Sequence, residues 1–138
     1  MSRIGIFPNW NLVWLINSRE GTMNKTGNIN YIEIPSRDVG KTKAFFNSAF
    51  GWSFVDYGPD YVAIENAGID GGFYKSDLVS IAENGSVLVV LYSAELETTL
   101  EKVKSSGGEI TKDIFSFPGG RRFHFTDPNG NEYAVWSE

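Results

Sequence analysis

His124 is the one histidine of the chain, and an imidazole is the side chain whose ordinary titration falls near neutrality, so its natural chemical work is proton transfer. Arg122 lies two positions earlier in a run that reads as a strand. Side chains two apart in a strand share a face, so guanidinium and imidazole are presented together. Glu33, inside a β-branched and aromatic run, is the carboxylate suited to act as a general base. It is equally suited to neutralise Arg122 across the fold, and His124, between Phe123 and Phe125, is equally suited to plain packing; both alternatives stay open.

Other chemistries lack their residues. The chain has 138 residues and no cysteine, which removes disulfides, thiolate metal sites and a cysteine nucleophile, and fits a reducing, cytoplasmic setting. No serine nucleophile elbow, catalytic carboxylate pair or cofactor fingerprint is present. The glycine pairs Gly71-Gly72 and Gly119-Gly120 do not open a helix, as a phosphate cradle would require; the first suits close backbone approach. The net charge is -5 and the one adjacent basic pair is Arg121-Arg122, so no clustered cationic face offers itself to nucleic acid. No stretch of 18 uninterrupted apolar residues exists to cross a membrane.

The elements that must position these residues follow from periodicity and punctuation. Residues 28–34 read as a strand, and Pro35-Ser36-Arg37-Asp38 is a break carrying two helix caps. Val39, Phe45, Phe46, Ala49 and Phe50 recur at helical spacing up to Gly51, which suits the left-handed residue that ends a helix. Three strands are expected next, at Trp52–Tyr57, Tyr61–Glu65 and Ile69–Tyr74, parted by Gly58-Pro59-Asp60 and Asn66-Ala67-Gly68. Phe45, Phe46, Phe50 and Trp52 are assigned to the core.

The second half repeats this order. A strand at Ser86–Tyr92 precedes a helix at Glu95–Ser106, whose leading glutamates and trailing lysines suit the helix dipole. Gly107-Gly108 closes it, and strands follow at Glu109–Lys112, Arg121–Thr126 and Glu132–Trp136. The last two meet at Asp127-Pro128-Asn129-Gly130, a turn whose task is geometric. Shifting the first half by 57 residues lays 29–34 on 86–91, and shifting it by 62 lays Ala67-Gly68 on Asn129-Gly130. Two copies of one βαβββ unit are therefore expected, an α+β fold, with module one at 28–75, module two at 86–137 and a linker at Lys75–Gly85. Residues 1–27 read as an N-terminal arm or an upstream extension without a signal-peptide pattern. Phe7, Trp10, Trp14 and Leu15 would need to pack on the domain or on a partner chain.

The run Ile32-Glu-Ile-Pro-Ser-Arg-Asp38 with Ala44-Phe-Phe-Asn-Ser-Ala-Phe-Gly-Trp52, and the later Phe125-Thr-Asp-Pro-Asn-Gly-Asn-Glu-Tyr133, resemble the vicinal oxygen chelate superfamily, the glyoxalase, bleomycin resistance protein and dioxygenase family. The resemblance spans about residues 28–137 and rests on two motifs in the right order. It implies two βαβββ modules whose sheets form a cup-shaped surface, usually completed in a homodimer, with a small organic ligand inside. The family's chemistry is varied, so the fold alone does not name the reaction.

Metal-dependent relatives draw ligands from the first and last strand of each module, usually His or Gln, then Glu. Those places fall here on Tyr31, Gly72, Leu88 and Ala134, which do not make the N and O donor set a divalent ion needs, apart from the Tyr31 phenol. No metal and no other cofactor is expected. A divalent ion remains possible only through shifted ligands, for which Glu33, Glu132 and His124 are the candidates. Family members often place a ligand-contacting side chain three residues before the turn aspartate, here His124. With strand alternation, the expected lining is Tyr31, Glu33, Phe73, Tyr92, Arg122, His124 and Trp136.

The function expected from this set is metal-free binding of a small organic molecule in an aromatic cup. The alternatives are an enzyme, either a metal-dependent lyase or dioxygenase with shifted ligands or a metal-free proton-transfer catalyst using Glu33 and His124, and a module that only dimerises.

Overall fold

The computed structural model describes residues 24–138; the arm expected before them, with its apolar residues 7, 10, 14 and 15, lies outside the described residues. Module one runs β1 (Tyr31–Ser36), α1 (Val39–Phe50), β2 (Ser53–Asp56), β3 (Tyr61–Glu65) and β4 (Asp70–Lys75). Module two runs β5 (Val89–Tyr92), α2 (Leu96–Ser105), β6 (Glu109–Phe117), β7 (Gly120–Thr126) and β8 (Glu132–Ser137), after a short 3-10 turn at Ala82–Asn84 in the linker. The sheet orders are β1-β4-β3-β2 and β5-β8-β7-β6. In each sheet the first and last strands of the module pair in parallel and the remaining pairs are antiparallel. The internal repeat is thus a repeat of topology, and the α+β fold of two βαβββ modules stands.

Several strand bounds differ from expectation, β5 beginning at Val89 rather than Ser86, and two of the differences have physical reasons. β1 begins at Tyr31 and continues through Pro35. A residue without an N–H is tolerated there because β1 is an edge strand of its sheet. β6 does not stop at Lys112 but runs to Phe117, with register shifts on either side of Lys112 against β7. These irregularities let one strand stay paired while it bends.

Each helix is set by its ends. The Asp38 side chain accepts from the Lys41 N–H at 3.0 Å, and Gly51, at φ 73°, ends α1 with its own N–H on the Asn47 carbonyl. Trp52 then folds back and stacks on Phe46, ring centroids 4.4 Å apart. Phe46, fully buried, also meets Phe73 of β4 at 5.5 Å and Tyr133 of β8 at 5.2 Å, so one ring of α1 ties both modules into one core.

The turn between β7 and β8 does more than reverse the chain. Asp127, buried, accepts from the N–H groups of Asn129 and Asn131, from the Asn131 side chain and from the Tyr133 hydroxyl. Held in this way, Asn129 accepts from the Asp38 N–H and donates to Thr42 Oγ1, while Asn131 donates to the Pro35 carbonyl and accepts from the Ser80 N–H. The turn of module two therefore latches the β1–α1 corner of module one and the linker.

Candidate functional site

Ladder partners share a face, so the register decides what faces away from the helices. In module one Glu33 lies opposite Gly72, and Ala63 lies on its other side. That face carries Tyr31, Glu33, Tyr61 and Ala63, with Tyr57 and Tyr74 beside them. Phe73 is on the other face, opposite Ile34 and fully buried in the core. Its expected place in the lining is thereby corrected. Alternation along Gly71-Gly72-Phe73-Tyr74 does not by itself say which face meets the core, and the ladder puts Tyr74 rather than Phe73 on the open one.

Tyr61 is one residue that sequence reasoning missed. Its ring crosses Gly72 so closely that a Cβ at 72 would lie 1.8 Å from the phenol oxygen. Its hydroxyl is 2.5 Å from that of Tyr31 and donates to Glu33 Oε2 at 3.4 Å. Burial pushes the Tyr31 phenol above its usual range, the hydrogen bond to Tyr61 opposing it. Two phenols and a carboxylate thus form one bonded cluster, in which Glu33 engages Tyr61. The signal was legible: an aromatic on the strand next to a glycine pair can cover the bare backbone.

In module two the face turned away from the core carries cations and aromatic rings. Arg122 lies opposite Trp136 on β8 and opposite Phe115 on β6, and His124 lies opposite Ala134 and Lys112. The guanidinium sits 5.5 Å from the centroid of Phe115 and 5.9 Å from that of Phe117. Trp136 meets Tyr92 at 5.2 Å and Phe117 at 6.4 Å. Tyr92 keeps its expected face but is 52% exposed, a rim residue whose hydroxyl donates to Glu138. Phe115 and Phe117 entered no expectation because the strand was ended at Lys112. Their spacing of two, bounded by Pro118-Gly119, was the available sign.

His124 is buried and oriented. Its Nδ1 is 2.9 Å from Glu132 Oε2, and Glu132 Oε1 accepts from the Ala82 N–H at 3.0 Å, so the linker steadies the acid that steadies the imidazole. The bond to His124 holds the Glu132 carboxyl below its ordinary range. Nδ1 faces the carboxylate, which leaves Nε2 as the ring nitrogen directed away from it. That atom and Arg122 Nε are buried and have no hydrogen-bond partner among the described residues. Glu33 and Glu132 also line one pocket of about 660 Å³ between the edge strands, bordered by the linker residues Leu78, Val79 and Ser80 and by Val87.

The residues at the family's metal places do not suit an ion. Tyr31 is bonded to Tyr61, the space beside Gly72 is taken by the Tyr61 ring, and Leu88 and Ala134 offer no donor atom. Among the described residues no three His, Cys, Asp or Glu side chains come together as a possible ion site, so the shifted set Glu33, Glu132 and His124 does not converge. No helix among them is long and apolar enough to cross a membrane.

Residues 28–135 match the family model of the Glyoxalase/Bleomycin resistance protein/Dioxygenase superfamily, and the chain belongs to that family. A glyoxylase-like domain-containing protein of Didymella fabae is 28% identical over an alignment of 121 residues that covers 79% of this chain and 92% of that one. The fold is similar to that of a glyoxalase-related enzyme from Fulvimarina pelagi, with a TM-score of 0.69 at 16% identity over 81% of this chain and 88% of that one. It is also similar to a mutant of the fosfomycin resistance protein FosX from Listeria monocytogenes complexed with Mn(II) and 1S,2S-dihydroxypropylphosphonic acid. There the TM-score is 0.68 at 19% identity, covering 82% of this chain and 91% of that one.

Proposed function

We propose that this member of the glyoxalase, bleomycin resistance protein and dioxygenase superfamily binds a small organic molecule on the aromatic open face of its modules, without the divalent ion used by metal-dependent relatives. The observation that carries this reading is the Tyr61 phenol lying on Gly72. A carboxylate ligand cannot be supplied from position 72, and with Leu88 and Ala134 aliphatic the ordinary donor set is missing. What replaces it is a surface of Arg122, Phe115, Phe117, Trp136 and Tyr92, apolar with a few polar points, as small-molecule sites are. A homodimer in the cytoplasm is the setting that goes with this reading.

The test is metal content of the purified protein, with thermal-shift titration of manganese, nickel, zinc, cobalt and ferrous ions on the stripped form. Expected are no stoichiometric metal and no rise in Tm. A saturable rise with one ion, which binding to the native state demands, would overturn the reading and lead to lyase and dioxygenase assays.

The His124–Glu132 pair favours a second reading, a metal-free proton-transfer catalyst. A carboxylate that fixes the tautomer and leaves Nε2 unpaired is the arrangement of a general base. Glu33 is bonded instead to Tyr61 and serves this reading less well than Glu132. Exchange of deuterium into a bound carbonyl compound would report turnover. His124→Ala should abolish the exchange and Glu33→Gln should leave it in place; exchange undiminished in His124→Ala would dismiss this reading.

A further inference from the structure

Resting on the small-molecule reading above, we infer that the ligand is an aryl carboxylate, its acid group held by Arg122 and its ring laid among Phe115, Phe117 and Trp136. Arg122 is a half-buried cation with a buried Nε that lacks a partner. A guanidinium withdrawn from water needs an anion or a full set of acceptors, and leaving one donor orphaned has a free-energy cost that a bound acid would remove.

The acids around it are engaged elsewhere. Glu132 is held by His124 and the Ala82 N–H, Glu138 by Tyr92, and Glu97 by the neighbouring Arg121. Lys112 adds a second positive charge on the same ring, its Nζ 5.9 Å from the Phe115 centroid. In a chain of net charge -5, Arg122 is a cation that no acid among the described residues pairs with, while Lys112 has Glu132 as its neighbouring carboxylate.

The chemistry of the spot selects the guest. Nε–H and one Nη–H of a guanidinium form a fork that fits the two oxygens of a carboxylate. Phe115 and Phe117 flank the planar group, and Phe115 is 37% exposed. Beyond the fork lie the Trp136 and Tyr92 rings, edge to face, where a flat apolar body gains contact. A neutral amide of the same shape would lose the charge-assisted pair, and an amine would meet two cations.

The experiment uses the full chain with benzoate, phenylacetate and indole-3-acetate, each beside its primary amide, and with phenethylamine, read by calorimetry and thermal shift. Expected is saturable binding of at least one acid, at least tenfold tighter than its amide, weakened by added salt. Arg122→Gln should remove this preference and Arg122→Lys should keep only part of it, with near-UV circular dichroism unchanged in both. Amide or amine binding as tight as the acid would overturn the carboxylate assignment while leaving the small-molecule reading in place. So would undiminished acid binding in Arg122→Gln. No binding by any acid would overturn the assignment as well, whereas failure of the metal-free reading shows separately, as a divalent-ion response.

Discussion

The phenol of Tyr61 occupies the space that a side chain at position 72 would need, 1.8 Å from the site of a Cβ to the oxygen and 2.2 Å to the ring carbon that bears it. Gly72→Ala should therefore destabilise the fold by on the order of 3 kcal/mol, the upper end of overpacking costs. Removing the obstacle should remove the penalty. In a Tyr61→Ala background the same glycine substitution should cost less than about 1 kcal/mol, a coupling that a double-mutant cycle in urea measures directly. Additive losses would show that the two positions do not collide.

The same pair marks how far residue patterns reach. Strand alternation correctly put Tyr31 with Glu33 and Arg122 with His124, because side-chain period does not depend on what packs above the sheet. It failed for Phe73, since in Gly71-Gly72-Phe73-Tyr74 both faces offer an aromatic and only pairing with Ile34 and Glu33 tells them apart. Phe115 and Phe117 were lost because β6 is irregular against β7 near Lys112, where simple periodicity breaks. The His124–Glu132 bond was within reach of reasoning, for both residues were candidates on neighbouring strands. The bracing of Glu132 by Ala82 was not, because a linker carries no period to align.

The Asp127 turn gives a prediction about how the modules are joined. Asn129 bonds the Asp38 N–H and the buried side chains of Ser36 and Thr42 in module one. Asn129→Ala should cost about 2 kcal/mol, because it strands buried polar partners rather than removing both sides of a bond. Arg37→Met, which removes a bond to the Asn129 carbonyl from an exposed side chain, should cost under about 1 kcal/mol. Equal losses in chemical denaturation would refute the latch.

Acid should act on the His124–Glu132 pair with a definite sign. Glu132 has its carboxyl below the ordinary 4.5, mainly through the bond to His124, so the stability it adds is present above 4.5 and is lost as pH falls through the depressed folded value. Asp127 runs the other way. Its desolvation raises the carboxyl above 3.8, so ionisation is penalised in the folded state and acid relieves it. Comparing the native protein with Glu132→Gln cancels the Asp127 contribution, which both retain. The variant should be less stable at pH 7, and the gap should narrow as pH falls from about 5 toward 3. A constant gap in denaturation curves over that range would rule out the linkage.

Phe46 and Phe115 should separate core from site. Phe46 is fully buried and touches Phe45, Trp52, Phe73 and Tyr133, so its truncation opens a cavity that neighbours from two sheets cannot jointly fill. Phe46→Ala should cost about 4 kcal/mol and split the unfolding of the two modules, because the ring that couples β4 to β8 is gone. Phe115 is 37% exposed and mainly faces the Arg122 and Lys112 cations, whose attraction to its ring is on the order of 1 kcal/mol when partly solvated. Phe115→Ala should therefore leave a single, nearly unshifted transition while weakening the acid probes that bind at Arg122. A large stability loss in Phe115→Ala would place that ring in the core, and intact acid binding would take it out of the site.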